Sequence, residues 1–205
     1  MIQSKEDYLF HIEADRIARG RSQEDWKWYY RFGKIETRET WAFQRLLRKL
    51  EYNINCGNSR LNDLSRRLLG YQFNSLSARL GFSIPPNVFG PGLCLIHRGP
   101  VIVHESARVG ENCTVRHCVT IGQGIGIPGK APQIGNNVFI GPGAVIIGDI
   151  TIADDIAIGA NSVVNQSFLE NGITIAGVPA RKVGDKGSKG LLTRATELLR
   201  GNTPT

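Results

Sequence analysis

The 205-residue sequence holds a single Met and few aromatic residues (8%), and it contains no run of the roughly 18 apolar residues that a membrane-spanning helix needs. No membrane span is therefore expected. Large flexible side chains are scarce beside 24 glycines and 9 prolines, which excludes a helical bundle for the whole chain and favours many turns packed by small and β-branched residues. The opening segment Met1-Ile2-Gln3-Ser4-Lys5-Glu6-Asp7 lacks the basic-then-apolar order of a secretory leader, so a cytoplasmic protein is expected. Cys56, Cys94, Cys113 and Cys118 have no CxxC spacing, and a chain of this length needs no disulfide staples. Reduced thiols and no zinc cluster follow, with Cys113 and Cys118 read as small buried residues. What is present, 41% hydrophobic and 21% charged residues, suffices for a packed core and excludes disorder as the main state.

The net charge of +7 invites a nucleic-acid reading, but it is unevenly spread: +5 over residues 1–80, 0 over residues 81–183 and +2 over residues 184–205. The basic residues of the first segment alternate with acids at helical spacing, as on a solvated helix face, and no nucleic-acid partner is expected.

Two halves of the chain differ in period. Residues 1–82 read as a helical domain. Ser4 and Asp7 stand in capping-box spacing ahead of Leu9, Ile12 and Ile17, and Phe43, Leu46, Leu47, Leu50 and Ile54 follow one helix face. Leu61, Leu64, Leu68, Phe73, Leu76 and Leu80 form a third run that stops at Gly81. Over residues 83–184 the helical period gives way to a repeat of six. Aliphatic residues stand at Val103, Val109, Val115 and Ile121, and again at Ile134, Ile140, Ile146, Ile152, Ile158 and Val164. Four positions after these come Ala107, Cys113, Val119, Val138, Ala144, Ile150, Ile156 and Ser162. This pattern predicts a solenoid of short strands, three hexads to a triangular coil, with the aliphatics inward and small or β-branched residues at the corners. The two series are out of step around Gly122–Gly129, which predicts a loop extruded from one coil. Residues 185–205 read as a tail with Leu191, Leu192, Leu198 and Leu199 at helix-like spacing.

From Gly90 to Gly184 the sequence resembles the hexapeptide-repeat acyltransferases of the serine acetyltransferase-like group. The resemblance rests on Gly92-Leu93-Cys94-Leu95-Ile96-His97-Arg98-Gly99-Pro100-Val101-Ile102-Val103, Val115-Arg116-His117-Cys118-Val119-Thr120-Ile121-Gly122, Ile140-Gly141-Pro142-Gly143-Ala144 and the terminal Ala176-Gly177-Val178-Pro179-Ala180-Arg181. It implies an all-β left-handed parallel β-helix preceded by an α-helical domain. It also implies a homotrimer, extended through the N-terminal helices in some relatives, and acetyl-CoA as co-substrate with no metal.

His97 stands six residues before Val103, where the repeat calls for an inward aliphatic. The resemblance makes it the general base that takes the acceptor's hydroxyl proton. Glu105 matches a glutamate of the pattern and either orients the base, binds the acceptor or is a solvated corner residue. Ser83 and Ile96 stand where serine acetyltransferases carry acids, and Lys130-Ala131 stands where they carry an Arg-His pair. Read with His117, which resembles a position in exopolysaccharide acetyltransferases, these departures favour a saccharide acceptor in surface polysaccharide synthesis, with Ser83, His117 and Lys130 as acceptor contacts. Serine O-acetylation is the alternative, and a non-catalytic scaffold a weaker one. His97, His104 and His117 are not in equivalent register, which argues against a zinc site of the β-helix carbonic anhydrase type. CoA is expected along Gly122, Gly141, Pro142, Gly143 and Ala160, with Arg181 and Lys182 near its phosphates.

Overall fold

The structure is a computed structural model, and it describes residues 1–20, 35–57, 60–124 and 129–201, with the side chains of residues 60–65 left aside. The chain opens with α1 (Lys5–Ala18), where the Ser4 hydroxyl accepts the Asp7 backbone N–H as an N-cap. Helices α2 (Ile35–Cys56) and α3 (Arg60–Leu80) follow and pack against each other. Phe43, Leu47 and Leu50 of α2 are buried with Leu69, Phe73 and Leu80 of α3, as the helical period requires, while Leu68 and Ile54 face outward. The side chains of Leu61 and Leu64 lie outside the described residues. At Gly81, φ is +77°, which ends the last helix and turns the chain into the first strand.

The remainder winds into coils of three short parallel strands. One sheet stacks β1 (Phe82–Ser83), β3 (Val101–Val103), β6 (Val119–Gly122), β9 (Val145–Ile147) and β12 (Val163–Val164). A second stacks β4 (Arg108–Val109), β7 (Gln133–Ile134) and β10 (Thr151–Ile152). A third stacks β2 (Cys94–Leu95), β5 (Thr114–Val115), β8 (Phe139–Ile140), β11 (Ala157–Ile158) and β13 (Thr174–Gly177), and β14 (Ala180–Gly184) folds back antiparallel on its last strand. Register places Val103, Ile121, Ile146 and Val164 above one another, and likewise Leu95, Val115, Ile140, Ile158 and Ile175. All of these are buried, as are the small or β-branched residues four places on from Ala107 to Ser162. Each enclosed Val, Leu or Ile contributes about 1.5–3 kcal/mol, so the stack of like residues is the main source of stability.

The corners need a left-handed residue, and the side chains there do more than permit the turn. Asn112, Asn137 and Asp155 have φ of 56°, 56° and 61° at successive coils of one corner. The Asn112 amide donates to Asn137 Oδ1 at 2.8 Å, and the Asn137 amide to Asp155 Oδ1 at 3.0 Å. The tail docks on this ladder through Arg194 to Asp155 and Thr196 to Asn112, and ends in α4 (Ala195–Leu199). It also helps bury the outward-facing Cys94, whose pocket of Ala14, Ala18 and Ala195 joins tail to α1. Cys118 departs from expectation: it occupies another corner at φ 60°, and the turn leaves it exposed, whereas Cys94 and Cys113 are buried. Burial pushes the Cys94 thiol up to about 11, beyond thiolate chemistry at neutral pH.

The helices are fixed to the first coil by one buried guanidinium. Arg48 of α2 is wholly enclosed and uses five N–H bonds: two to Asp15 of α1 (2.8 and 3.2 Å), one to Glu51 (3.0 Å), and one each to the carbonyls of Phe89 (2.9 Å) and Gly90 (2.6 Å). Asp15 Oδ1 in turn accepts the N–H groups of Gly92 and Leu93. Burial disfavours the charged guanidinium, but the two carboxylates outweigh it and hold Arg48 protonated. Beside it, Gln44 bonds the N–H of Leu95 and the C=O of Leu93, which caps the otherwise open edge of β2.

Two outcomes are expected. Arg48→Met leaves Asp15 and Glu51 buried without their cation, and should cost roughly 3–5 kcal/mol, read as a fall in melting temperature of about 10 °C. His11 of α1 is buried and donates from Nδ1 to the Asp7 carbonyl at 2.8 Å; burial, helped by Arg48, lowers its pKa from 6.5 to about 4. The unfolded chain therefore binds a proton the folded one refuses, and stability falls as pH drops from about 6.5 towards about 4. Urea midpoints compared at about pH 7.5 and about pH 5 should drop further in wild type than in His11→Gln.

Candidate active site

The six-residue spacing is broken where the first coil turns from β2 into β3. Eight residues separate the inward Leu95 from Val103, where six separate Val115 from Ile121 in the next coil. The longer turn carries His97 out of the core. Leu95 fills the inward slot, and the His97 side chain is 44% exposed, so the expectation of an inward histidine is corrected. The insertion produces an accessible imidazole on a rigid scaffold, which a proton-transfer role requires.

The same corner recurs along the solenoid. Two residues beyond Leu95, Val115, Ile140 and Ile158, which are equivalent by strand register, stand His97, His117, Pro142 and Ala160. The His97 and His117 rings meet edge to face, centroids 5.8 Å apart at 86°. The His117 carbonyl accepts the Gly143 N–H at 3.0 Å, which ties this corner to the next coil. Four positions singled out in the sequence thus form one column.

His97 also lies against the first turn of α2. His97 Nδ1 is 3.2 Å from Glu36 Oε1, and the Arg98 backbone N–H donates to the same oxygen at 3.0 Å. The Arg98 N–H, with a further contribution from the His97 ring, holds the Glu36 carboxyl below the usual carboxylate range. The Arg98 guanidinium pairs with Glu39, which also meets Arg79 of α3 at 3.2 Å. Glu36 was not singled out in the sequence: it lies 61 residues from His97 and looks like any acid in a helix's first turn.

Other candidates are placed apart. Glu105 is exposed in the turn that follows β3, whereas His97 precedes that strand, and the carboxylate bonded to His97 is Glu36. His104 lies in that same distant turn, its Nδ1 accepting the Ser106 N–H at 3.1 Å. Ser83 faces outward on β1 beside Ile102. Lys130 is exposed and paired with Asp149 at 2.5 Å. Arg181 is exposed on β14, and Lys182 is held between Glu170 and Asp185 at 2.6 Å each. Residues 125–128 of the extruded loop fall outside the described residues. Among the described residues no three His, Cys, Asp or Glu side chains gather as a metal site, and no helix is long and apolar enough to cross a membrane.

Residues 131–166 match the family described as bacterial transferase hexapeptide (six repeats). The chain is 38% identical over 105 residues to the serine acetyltransferase of Helicobacter pylori J99, covering 50% of this chain and 61% of that protein. It is 37% identical over 101 residues to that of Mycobacterium tuberculosis H37Rv, covering 49% and 44%. The chain thus spans less than two thirds of the length of these relatives. Among solved structures, it superposes on the serine acetyltransferase of Brucella abortus S19 with a TM-score of 0.63 and 30% identity, covering 89% of this chain and 70% of that one. The Neisseria gonorrhoeae serine acetyltransferase gives 0.67 and 28% over 89% and 67%. This chain belongs to the hexapeptide-repeat acyltransferases of the serine acetyltransferase type, with their left-handed β-helix. The expectation of a capsule or exopolysaccharide enzyme with a saccharide acceptor is overturned: the relatives and structures matched are serine acetyltransferases, despite Ser83, Ile96 and Lys130-Ala131.

Two of the glycines expected along CoA differ in what demands them. A Cβ on Gly141 would lie 2.7 Å from the Ile158 carbonyl oxygen and 2.8 Å from the Ala160 nitrogen, both backbone of the next coil. A Cβ on Gly122 would meet only ordinary contacts, the nearest at 3.8 Å. Gly141→Ala should therefore cost roughly 1–3 kcal/mol in denaturant unfolding, and Gly122→Ala less than about 0.5 kcal/mol. Any loss of activity in Gly122→Ala would then report ligand approach rather than folding.

Proposed function

We propose that the chain is a serine O-acetyltransferase, moving an acetyl group from acetyl-CoA to the hydroxyl of L-serine with His97 as general base. The observation that carries this reading is the exposed His97 on its lengthened corner, its Nδ1 bonded to a carboxylate and its ring flanked by His117, in a chain of the serine acetyltransferase type.

With Nδ1–H directed to Glu36, the Nε2 lone pair is left for the substrate. It accepts the hydroxyl proton as the serine oxygen bonds to the thioester carbonyl carbon. The tetrahedral intermediate then collapses, the C–S bond breaks with its electron pair on sulfur, and the imidazolium returns the proton to that sulfur. The products are O-acetylserine and CoA with a free thiol. Backbone N–H groups of a neighbouring coil hold the oxyanion. CoA lies along Gly122, Gly141, Pro142, Gly143 and Ala160, a groove whose small residues allow close approach to strand backbone, with Arg181 and Lys182 towards its phosphates. His117, whose ring meets that of His97, is the acceptor-side candidate. A homotrimer brings grooves of adjacent subunits together; the outward row Ile102, Thr120, Val145 and Val163 on the first sheet, a β-branched face in strand register, supports such packing.

The test is thiol release from acetyl-CoA with L-serine. Serine should support turnover, and His97→Ala should lower kcat by about 10²–10⁴-fold while melting as wild type does. No serine-dependent release by the wild-type protein would overturn the acceptor.

A further inference from the structure

We propose that Glu36, carried by the helical domain, is the positioning residue of the catalytic base: its carboxylate holds His97 in the Nδ1–H tautomer and fixes the ring's direction. The inference rests on His97 acting as the base of the proposed acyl transfer.

The geometry is specific. A neutral imidazole favours the Nε2–H tautomer when left to itself, which would place a proton where a base needs a lone pair. A carboxylate is an acceptor only, so Glu36 Oε1 at 3.2 Å from Nδ1 selects the tautomer with hydrogen on Nδ1. The same oxygen accepts the Arg98 N–H at 3.0 Å, so the carboxylate is held by the backbone of the very turn that presents His97. Glu39, one helical turn further along α2, binds the Arg98 guanidinium and Arg79, so two acids of one helix face are anchored to that turn. The His117 ring meets the His97 ring edge to face and adds a second contact that limits its rotation. Among the described residues, the charged and titratable groups on His97 are thus Glu36 from α2 and His117 from the next coil, while Glu39 of α2 and Arg79 of α3 gather on Arg98 of its own turn.

This placement also accounts for Ser83. At the β1 position where the family resemblance places an acid, the chain carries a hydroxyl on an outward strand. The orienting carboxylate comes from α2, and proton transfer therefore depends on the docking of the helical domain. Glu36 does not take up the proton: the step moves it from the acceptor oxygen to Nε2 and then to sulfur, while Nδ1–H stays on its nitrogen throughout.

The test combines kinetics with a direct reading of the tautomer, on the full chain labelled with ¹⁵N-histidine. Glu36→Ala should lower kcat by about 100-fold and leave KM for acetyl-CoA within about twofold. Glu36→Gln, whose amide oxygen the Arg98 N–H keeps turned towards the ring, retains an acceptor but gives up the charge assistance, and should lose about tenfold. In long-range ¹H–¹⁵N spectra without any acceptor, His97 should be Nδ1–H in wild type and Glu36→Gln, and shift towards Nε2–H in Glu36→Ala. An unchanged tautomer in folded Glu36→Ala, or a kcat within twofold of wild type, would overturn the proposal. If wild type fails to use serine, the acceptor reading has failed and the tautomer alone decides the role of Glu36.

Discussion

The arrangement depends on the Arg48 guanidinium. A β-helix has an open first coil whose strand edges must be covered, and α1 and α2 bury charged and polar side chains that need partners there. Arg48 meets both needs, because its planar fork reaches two carboxylates and two carbonyls from different segments at once. A lysine, with one point charge, could not bridge α1, α2 and the Phe89–Gly90 segment in this way. Glu36 lies about 18 Å further along the same helix, so the carboxylate facing His97 is set at the end of a lever fixed by a buried ion network. Such a network contributes modest net stability, since desolvation offsets attraction, but it defines one docking geometry.

On the β-helix itself, the proposed base stands where the repeat is interrupted. The six-residue coils present His117, Pro142 and Ala160 at that corner; the first coil, two residues longer there, presents His97 in an exposed turn. The stack beneath supplies rigidity, because each corner is hydrogen-bonded to the next, as in Gly143 to His117 and Asn161 to Pro142. The tail docks elsewhere, on the Asn112–Asn137–Asp155 ladder, where an aligned column of corner residues serves as an attachment site for Arg194 and Thr196. Two corners of one triangular cross-section thus have different tasks.

The acceptor reading shows how residue substitution and overall architecture can point in different directions. Ser83, Ile96 and Lys130-Ala131 differ from the serine acetyltransferase pattern, and taken singly they argue for another substrate. The described geometry changes their weight. Glu36, from a helix distant in sequence, supplies a carboxylate beside His97, and Lys130 is neutralised by Asp149. A missing group at one position says little when three-dimensional packing brings its equivalent from another.

The hexad period was sufficient to determine the coils, the inward ladders and the small corner residues, because a six-residue repeat of aliphatics has one economical way to bury them. Likewise, the helical runs and the Ser4 cap were legible, since local hydrogen bonding and amphipathic spacing act within a few residues. His97 was identifiable as a break in the pattern, but its direction was not, because two added residues in a turn decide whether a side chain points in or out. Only the tertiary structure decided that Cys118 is exposed, that Glu105 stands at the wrong end of β3 to touch His97, and that Glu36 and His117 flank the imidazole. Those relations depend on docking a helical domain against a coil and stacking one coil on another, and contacts made across 61 residues leave no periodic trace in the chain that makes them.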